Sequence, residues 1–387
     1  MVWCKVLSVR LESCVGVTRV PTLQLEELRE YLKTVYGAHV EIIYVDELGK
    51  VKTRAKQKPG KKLKGFGYGI PYKVEFSVNG QSKSVILQTM RPGGFGHDHF
   101  SDRAQVLLWQ HSAFNRLPRH ARSVDVGAFT TTGSMKSLGD CDEFFIITDM
   151  IRGYPYFRDL DRVRAHGRLS RLDLDRCCAL SDYLVDIHKV KSSSAGLYIR
   201  RVRDLLGHGE GIMGLADSYP EGLEYVDEDG LCAIEKRCVE WRWKLRRKTH
   251  RLVQVHGDYH PWNILFRAGT DFSVIDRSRG ELGESADDIA AMTINYLFYS
   301  LQAYRRLDGP FELLFDRFWS NYLDRTGDEE ILEVIQPFYA WRGLVIASPI
   351  WYPNLPLNVR KKIFCFIRNV LKSERFDIKS INSYMVS

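Results

Sequence analysis

The sequence His256-Gly-Asp-Tyr-His-Pro-Trp-Asn-Ile-Leu-Phe266 follows a short apolar run and places an acid, Asp258, five residues before an amide, Asn263. A second apolar run, residues 272–275, follows and ends in a further acid, Asp276. Magnesium prefers a small number of hard oxygen ligands and completes its coordination with phosphate and water oxygens. One amide and one carboxylate are therefore sufficient, so Asn263 and Asp276 are candidate magnesium ligands.

The spacing of these side chains is that of a kinase catalytic loop. In such loops an Asp at the first position accepts or orients the acceptor hydroxyl, and an Asn five residues later holds magnesium beneath the nucleotide phosphates. Asp258 is therefore the predicted catalytic residue, and ATP and Mg²⁺ are the predicted cofactors. The alternative is a proline-containing turn between two core strands. The joint presence of Asp258, Asn263 and Asp276 at compatible spacings favours phosphoryl transfer.

The loop reads His-Gly-Asp rather than His-Arg-Asp, and Gly-Glu-Ser-Ala-Asp-Asp-Ile-Ala follows at residues 283–290. In these features the chain resembles the aminoglycoside phosphotransferase and choline kinase group of small-molecule kinases. The resemblance implies an α+β, bilobal, protein-kinase-like fold. Residues 1–148 would form an N-lobe with a small antiparallel β-sheet, and residues 149–387 a mainly helical C-lobe with the catalytic loop and acceptor site. It also implies that His256 supports the loop and that Asp288 braces it from a helix start.

Length and composition fit a protein with two lobes. The 387 residues exceed a single ordinary domain, and a hydrophobic content of 44% is ample for a large core. No apolar stretch approaches the roughly 18 to 20 residues of a membrane span, and the amino terminus lacks the pattern of a secretory signal. These features predict a cytoplasmic protein that has no membrane partner. The eight cysteines form no Cys-x-x-Cys pair and are expected to be reduced thiols.

The net charge of +8 comes from one segment, which begins at Lys50 and ends at Lys64 and contains seven Lys, one Arg and no acid. The remaining 48 basic and 48 acidic residues balance. No aromatic residue for base stacking interrupts the segment. We therefore interpret it as a solvated loop or hairpin of the N-lobe rather than as a nucleic-acid contact.

The N-lobe pattern begins with helical periodicity over residues 23–35 and a β-branched and aromatic run over residues 39–48, which predict a helix and a strand. Glycines at Gly65, Gly67 and Gly69 follow the basic segment. Glycine lets backbone amides approach phosphates closely, so these three residues are predicted to contact the nucleotide. A flexible hairpin tip is the alternative.

Two alternating runs, residues 72–78 and 83–89, flank Asn79-Gly80, which is a strong hairpin dipeptide. They are predicted to pair as antiparallel strands. A helix is predicted over residues 101–114 and a further strand over residues 143–148. By the resemblance, the backbone of the hinge after that strand meets the adenine edge, at Asp149, Met150 and Ile151. A plain strand-to-loop exit is the alternative.

The chain departs from the family where a kinase strand offers Val-x-x-Lys to clamp the phosphates, because it reads Val85-Ile86-Leu87-Gln88. Three explanations stay open: Arg91 substitutes from beyond the strand, Gln88 serves while magnesium neutralises more of the charge, or nucleotide binding is weak. The helix partner is altered too, since Asp102 lies where a Glu is expected. Asp102 either pairs with Arg91 or caps its helix.

The C-lobe pattern is helical from Cys177 to His188, a residue that we interpret as structural. The glycine-rich residues 203–220 are predicted to be a loop that either lines the acceptor pocket or covers helices. Arg279 resembles a basic residue of some aminoglycoside kinases. It is expected either to face phosphate or to pair with Glu281. A cationic acceptor would require an acidic pocket, and the candidates near in sequence are Glu210, Asp217, Glu221, Glu224, Asp227 and Glu228.

The sequence thus predicts an ATP- and magnesium-dependent phosphotransferase that acts on a hydroxyl of a small molecule, such as an aminoglycoside, amino alcohol or sugar. The alternatives are a nucleotide-binding pseudokinase, motivated by Gln88, and an RNA-associated protein that uses the segment from Lys50 to Lys64. The acceptor, the choice between ATP and GTP and the oligomeric state stay open.

Overall fold

The computed structural model describes residues 23–47, 69–93 and 96–386. The chain divides between Thr148 and Asp149 into two compact units. The roles of nucleotide clamp and acceptor site, assigned above to two domains, stay predictions. The elements of the first unit are α1 (Leu25–Tyr36), β1 (Val40–Glu47), β2 (Gly69–Val78), β3 (Gln81–Met90), α2 (Phe100–Phe114), β4 (Gly127–Phe129) and β5 (Met135–Ser137).

The first unit is built on an antiparallel sheet in the order β1-β2-β3. Asn79 and Gly80 both adopt positive φ angles, 49° and 80°, which is the backbone of a two-residue hairpin turn that follows the strand twist. The predicted hairpin and the predicted first helix and strand are confirmed. The small core lies between α1 and the sheet and consists of Leu28, Leu32, Val40, Val74 and Phe76.

The strand predicted over residues 143–148 is wrong, because residues 141–152 form no strand in the described structure. Phe145 and Ile146 are 87% and 86% exposed. Their β-propensity suits a pleated, half-buried surface, but a strand also needs a neighbour whose backbone groups complete the ladder. Among the described residues no such partner lies beside this run, and its apolar side chains remain in solvent.

The second unit is mainly helical, which gives the chain the α+β class predicted from the sequence. Its strands are β6 (Tyr154–Pro155), β7 (Leu252–Gln254), β8 (Ile264–Phe266), β9 (Phe272–Val274) and β10 (Leu282–Glu284). Its helices are α3 (Phe157–His166), α4 (Arg171–His188), α5 (Ala195–Gly207), α6 (Ile212–Asp217), α7 (Glu228–Leu245), α8 (Ser285–Tyr304), α9 (Gly309–Thr326), α10 (Gln336–Ala347) and α11 (Leu357–Lys372).

Helix α8 is the centre of the second unit, since it is buried on nearly all of its faces. Helix α4 confirms the predicted helical periodicity, because Cys177, Leu180 and Leu184 are fully buried on one side. His188 ends this helix and is buried, with Nδ1 2.9 Å from the Tyr322 hydroxyl. No helix in the described part of the chain is long and apolar enough to cross a membrane. The six cysteines among the described residues form no disulfide with one another.

The loop predicted over residues 203–220 is wrong for most of its length, because α5 extends to Gly207 and α6 occupies residues 212–217. Gly214 explains one of the glycines. A Cβ there would lie 2.0 Å from the Gly209 carbonyl oxygen, so only glycine permits this close approach. The apolar side chains between the glycines are buried in the main core, at Leu205, Leu206, Ile212 and Leu215.

Candidate active site

The loop of residues 256–263 lies between two short strands, each of which is paired with an antiparallel partner. Strand β7, which pairs with β10, leads into it, and β8, which pairs with β9, leads out of it. Gly257 has φ +83°, a conformation that favours glycine, and Pro261 begins a 3₁₀ turn that ends at Asn263. Asp276 follows β9. The local pairing therefore brings all three predicted chemical residues to the same end of these strands.

Asp258 is mostly buried, and two guanidinium groups meet its carboxylate. Oδ1 lies 2.6 Å from Nη1 of Arg342 and 2.7 Å from Nη1 of Arg279. Oδ2 has longer contacts, 3.4 Å to Nε2 of His260 and 3.3 Å to Nδ2 of Asn263. The two carboxylate oxygens are thus unequal: one is held by cations, and the other faces weaker neighbours.

The charges around the loop act on two carboxyl groups in opposite directions. Burial alone would raise the pKa of Asp258, but the neighbouring His260, Arg342 and Arg279 lower it well below its ordinary value. Burial raises the pKa of Asp287 to about 6, even though Nη2 of Arg342 lies 2.6 Å from its Oδ1. Asp258 is therefore a carboxylate at neutral pH.

Asp288 holds the backbone of the loop from the first turn of α8. Its Oδ2 accepts a hydrogen bond from the His256 amide, and its Oδ1 accepts one from the Gly257 amide, both at 2.8 Å. Nε2 of His188 lies 3.2 Å from Oδ2. Burial would raise the pKa of Asp288, but these hydrogen bonds lower it. The carboxylate is thereby fixed as an acceptor for two loop amides.

His256 is buried between the two ends of the loop. Its Nδ1 accepts from the Asp258 amide at 3.2 Å, and its Nε2 lies 3.0 Å from the Ile275 carbonyl oxygen. Burial lowers its pKa, which favours the neutral ring that these contacts require. His256 thus joins the loop of Asp258 to the segment that carries Asp276.

The two candidate metal ligands lie on adjacent backbone, because the Ile275 amide donates to the Asn263 carbonyl at 2.9 Å. Asn263 uses Nδ2 as a donor to the Asp258 carbonyl at 3.0 Å, which leaves its side-chain oxygen as a ligand atom. Asp276 is exposed and has φ +60°, a strained conformation of the kind that concentrates at functional sites.

This donor set fits Mg²⁺, which takes its remaining ligands from phosphates and water. A cavity of about 220 Å³ lies beside it and is lined in part by Tyr183, His256 and Asp276. No cluster of three or more His, Cys, Asp or Glu side chains that could hold a metal by itself occurs in residues 23–47, 69–93 and 96–386.

The residues predicted to bind the nucleotide belong to both units. Gly65 and Gly67 lie outside the described residues. Gly69 is the first residue of β2, opposite Met90, rather than a loop residue. Gln88 crosses over it, since a Cβ on Gly69 would lie 2.7 Å from Nε2 of Gln88.

The other predicted nucleotide contacts, Arg91, Asp149, Met150 and Ile151, are exposed. Asp102 accepts a hydrogen bond from the His99 amide at the start of α2, which is the capping role considered above. The choice between Gln88 and Arg91 as the substitute for a phosphate-clamping lysine therefore stays a prediction.

Two of the acidic residues predicted to line the acceptor pocket use their carboxylates in other contacts. Oε2 of Glu210 lies 3.2 Å from Nη2 of Arg279, and Asp227 caps α7 by accepting from the Gly230 amide. Arg279 thus contacts Glu210 and Asp258 rather than the predicted Glu281. Sequence reasoning missed Arg342, although it is the single charged residue of the otherwise apolar helix α10, and such a residue signals a buried partner.

A known family matches the part of the chain that contains the candidate site. Residues 155–305 match the model of the phosphotransferase enzyme family. The matched segment contains Asp258, Asn263, Asp276 and Asp288. Over these residues the resemblance to small-molecule phosphotransferases predicted from the sequence is confirmed. No curated protein matches the chain.

Several solved kinases are similar to the chain at low identity. A glucosamine kinase in complex with glucosamine, ADP and inorganic phosphate is 18% identical, with 54% of this chain and 59% of that chain covered and a TM-score of 0.37. An ethanolamine kinase of Plasmodium vivax is 15% identical, with 82% and 78% covered and a TM-score of 0.32. An amicoumacin kinase in complex with AMP-PNP and Ca²⁺ is 15% identical, with 80% and 89% covered and a TM-score of 0.40.

Proposed function

We propose that this protein transfers the γ-phosphoryl group of ATP to a hydroxyl of a small molecule, with Mg²⁺ as cofactor. The acceptor oxygen forms a bond to the γ-phosphorus, and the bond from that phosphorus to the β,γ-bridging oxygen breaks. The hydroxyl proton passes to Asp258, and ADP leaves. Phosphoryl transfer depends mainly on positioning and on electrostatic stabilisation, so the protein must hold few groups accurately.

The observation that carries the proposal is the fixed catalytic loop within the family-matched segment. Asp288 binds two consecutive loop amides, His256 joins the loop to Ile275, and Asn263 donates to the Asp258 backbone. A structural turn would need no buried carboxylate as a brace. The loop therefore has the rigidity that an active site requires.

Asp258 is suited to orient an acceptor hydroxyl. Because its pKa is lowered, it is ionised at neutral pH and can accept a hydrogen bond from the hydroxyl. The same lowering makes it a weak base, so the proton moves late, when the acceptor oxygen is already bonding to phosphorus. This order suits the loose transition state of phosphoryl transfer.

Asn263 and Asp276 would hold Mg²⁺. When bound there, the ion would neutralise part of the negative charge of the nucleotide phosphates. In most kinases of this kind a lysine contacts the nucleotide phosphates. Gln88 carries no charge, so we propose Arg91 as the residue that replaces this lysine. The acceptor class is wider than cations, because guanidinium groups rather than carboxylates surround Asp258. A sugar, amino sugar, amino alcohol or nucleoside-like hydroxyl fits this site.

The test is a screen of hydroxyl compounds for stimulated ADP release, with and without Mg²⁺. We expect at least one class of acceptor to raise ADP release above the background hydrolysis, and ³¹P NMR to show a new phosphate ester. Removal of Mg²⁺ should abolish the stimulated rate. Tight ATP binding without stimulated ADP release from any acceptor would instead favour the pseudokinase alternative.

A further inference from the structure

Arg342 is a buried cation in an unusual position. It lies in α10, a helix whose other residues are uncharged, and its side chain is only 7% exposed. Burial of a charge is costly unless partners compensate for it. Helix α10 also lies beyond residues 155–305, so the family-matched segment does not supply this arginine.

The partners of Arg342 all belong to the loop or to its supports. Nη1 donates to Oδ1 of Asp258 at 2.6 Å, while Nη2 donates to the Gly257 carbonyl at 2.9 Å and to Oδ1 of Asp287 at 2.6 Å. The guanidinium lies over the ring of Trp341, 4.0 Å from its centroid. The planar group is therefore fixed by two carboxylates, one carbonyl and one aromatic face.

The second arginine on Asp258 is held less firmly. Arg279 has a side chain that is 28% exposed, and its other carboxylate partner, Glu210, is 63% exposed. Ion pairs at exposed positions contribute little and rearrange readily. Arg279 also donates from Nη1 to the Gly257 carbonyl at 3.2 Å and lies over the Trp341 ring, 4.9 Å from its centroid. Arg342 is less exposed, however, and its second carboxylate, Asp287, is only 15% exposed. Of the two guanidinium groups on Oδ1, the one on α10 is therefore the more firmly held.

We propose that Arg342 is the positioning residue of Asp258: it holds Oδ1 and thereby presents Oδ2 to the acceptor hydroxyl. The proposal rests on the proposed function. Oδ2 has only the two longer contacts described above, so it retains the capacity to accept a short hydrogen bond. Without Arg342, the carboxylate would rotate toward Arg279, and the hydroxyl would lose its alignment with the γ-phosphorus.

The test compares Arg342→Lys with Arg251→Lys. Arg251 is also buried between carboxylates but does not contact Asp258. Lys keeps the charge in both variants and removes the planar fork. We expect Arg342→Lys to lower kcat by about 10- to 100-fold, because misplacement by about 1 Å has effects of this size. The KM for ATP should stay within about twofold, since the contacts of Arg342 described above are with the loop, with Asp287 and with Trp341.

Arg251→Lys should lower Tm but leave kcat at 25 °C within about twofold of wild type. Guanidine added to Arg342→Ala should restore part of kcat, whereas ammonium should not, because only a planar donor reproduces the fork. A kcat for Arg342→Lys within twofold of wild type would overturn the proposal. If Arg342→Lys and Arg342→Met both fail to fold, Arg342 is a structural arginine like Arg251, and the proposal is again overturned.

A wild-type protein without acceptor-stimulated ADP release would contradict the proposed function rather than this contact. In that case a double-mutant cycle on Tm with Asp258→Asn and Arg342→Lys decides the inference. Coupled residues should give a smaller loss in the double variant than the sum of the single losses. Additive losses would show that Arg342 does not fix Asp258.

Discussion

Arg251 and Arg342 are two buried arginines of the second unit. Both contact carboxylates, but they differ in how many of their guanidinium nitrogens have a hydrogen-bond partner. Arg251 uses every nitrogen: Nε and Nη2 bind Glu284, Nη1 and Nη2 bind Asp328, and Nη2 also reaches Ser285. Arg342 leaves Nε without a partner among the described residues. Its carboxylate partner Asp258 also keeps one oxygen with only long contacts.

By the function proposed above, this difference separates an ion cluster that stabilises the fold from one that takes part in catalysis. A cluster in which every guanidinium nitrogen has a partner gains nothing from a further ligand. The Arg251 cluster instead connects the residue before β7 with Glu284, just before α8, and Asp328, just after α9. An incomplete cluster around a carboxylate has capacity for a substrate hydroxyl. The comparison predicts that substitutions at the two arginine clusters separate into effects on activity and effects on folding.

Asp258→Asn should have the largest effect on activity. Loss of a positioned base typically lowers the rate by about 10² to 10⁴, or roughly 3 to 5 kcal/mol of barrier. Asn preserves the shape of the side chain, so nucleotide affinity should be retained. The measurements are acceptor-stimulated ADP release and ATP binding by calorimetry. A variant as active as wild type would refute the role of Asp258.

Arg251→Met should have the largest effect on stability. It leaves Glu284 and Asp328 without their cation, and removal of one partner of a buried ion pair costs about 3 to 5 kcal/mol. Urea unfolding measures this loss, and kcat measured below the new transition should stay near the wild-type value. A variant that unfolds like wild type but loses kcat would reverse the division between the two clusters.

The sequence revealed the parts of the site that are local along the chain. Asp258, Asn263 and Asp276 are positioned by two adjacent strand pairings, and Asp288 lies in the first turn of the next helix, so a spacing pattern indicates their proximity. The Asn79-Gly80 hairpin was predictable for the same reason, because the dipeptide specifies its own turn.

Contacts between distant elements could not be read from spacing. Arg342 reaches Asp258 through the packing of α10, and only its isolation among apolar residues hinted at a buried partner. Residues 143–148 show the opposite failure: their composition favours a strand, but pairing depends on a neighbour that the composition does not specify. At residues 203–220 the glycines indicated a loop, whereas Gly214 lies within α6 and permits the close approach of the Gly209 backbone.

Glu330→Gln should have the smallest effect, visible only in acid. Burial opposes ionisation of Glu330, but Lys248, His250 and Arg251 prevail and lower its pKa from 4.5 to about 2. A lowered pKa in the folded state stabilises the protein above the unfolded value, and this stabilisation is lost as the pH falls from about 4.5 toward 2. Because Glu330 is partly exposed, solvent screening limits the contribution to about 0.2 to 1 kcal/mol. The difference in unfolding free energy between wild type and Glu330→Gln should therefore be smaller at pH 3 than at pH 7. A constant difference would show that Glu330 acts through packing rather than through its charge, although its Oε2 lies 3.3 Å from Nη1 of Arg251.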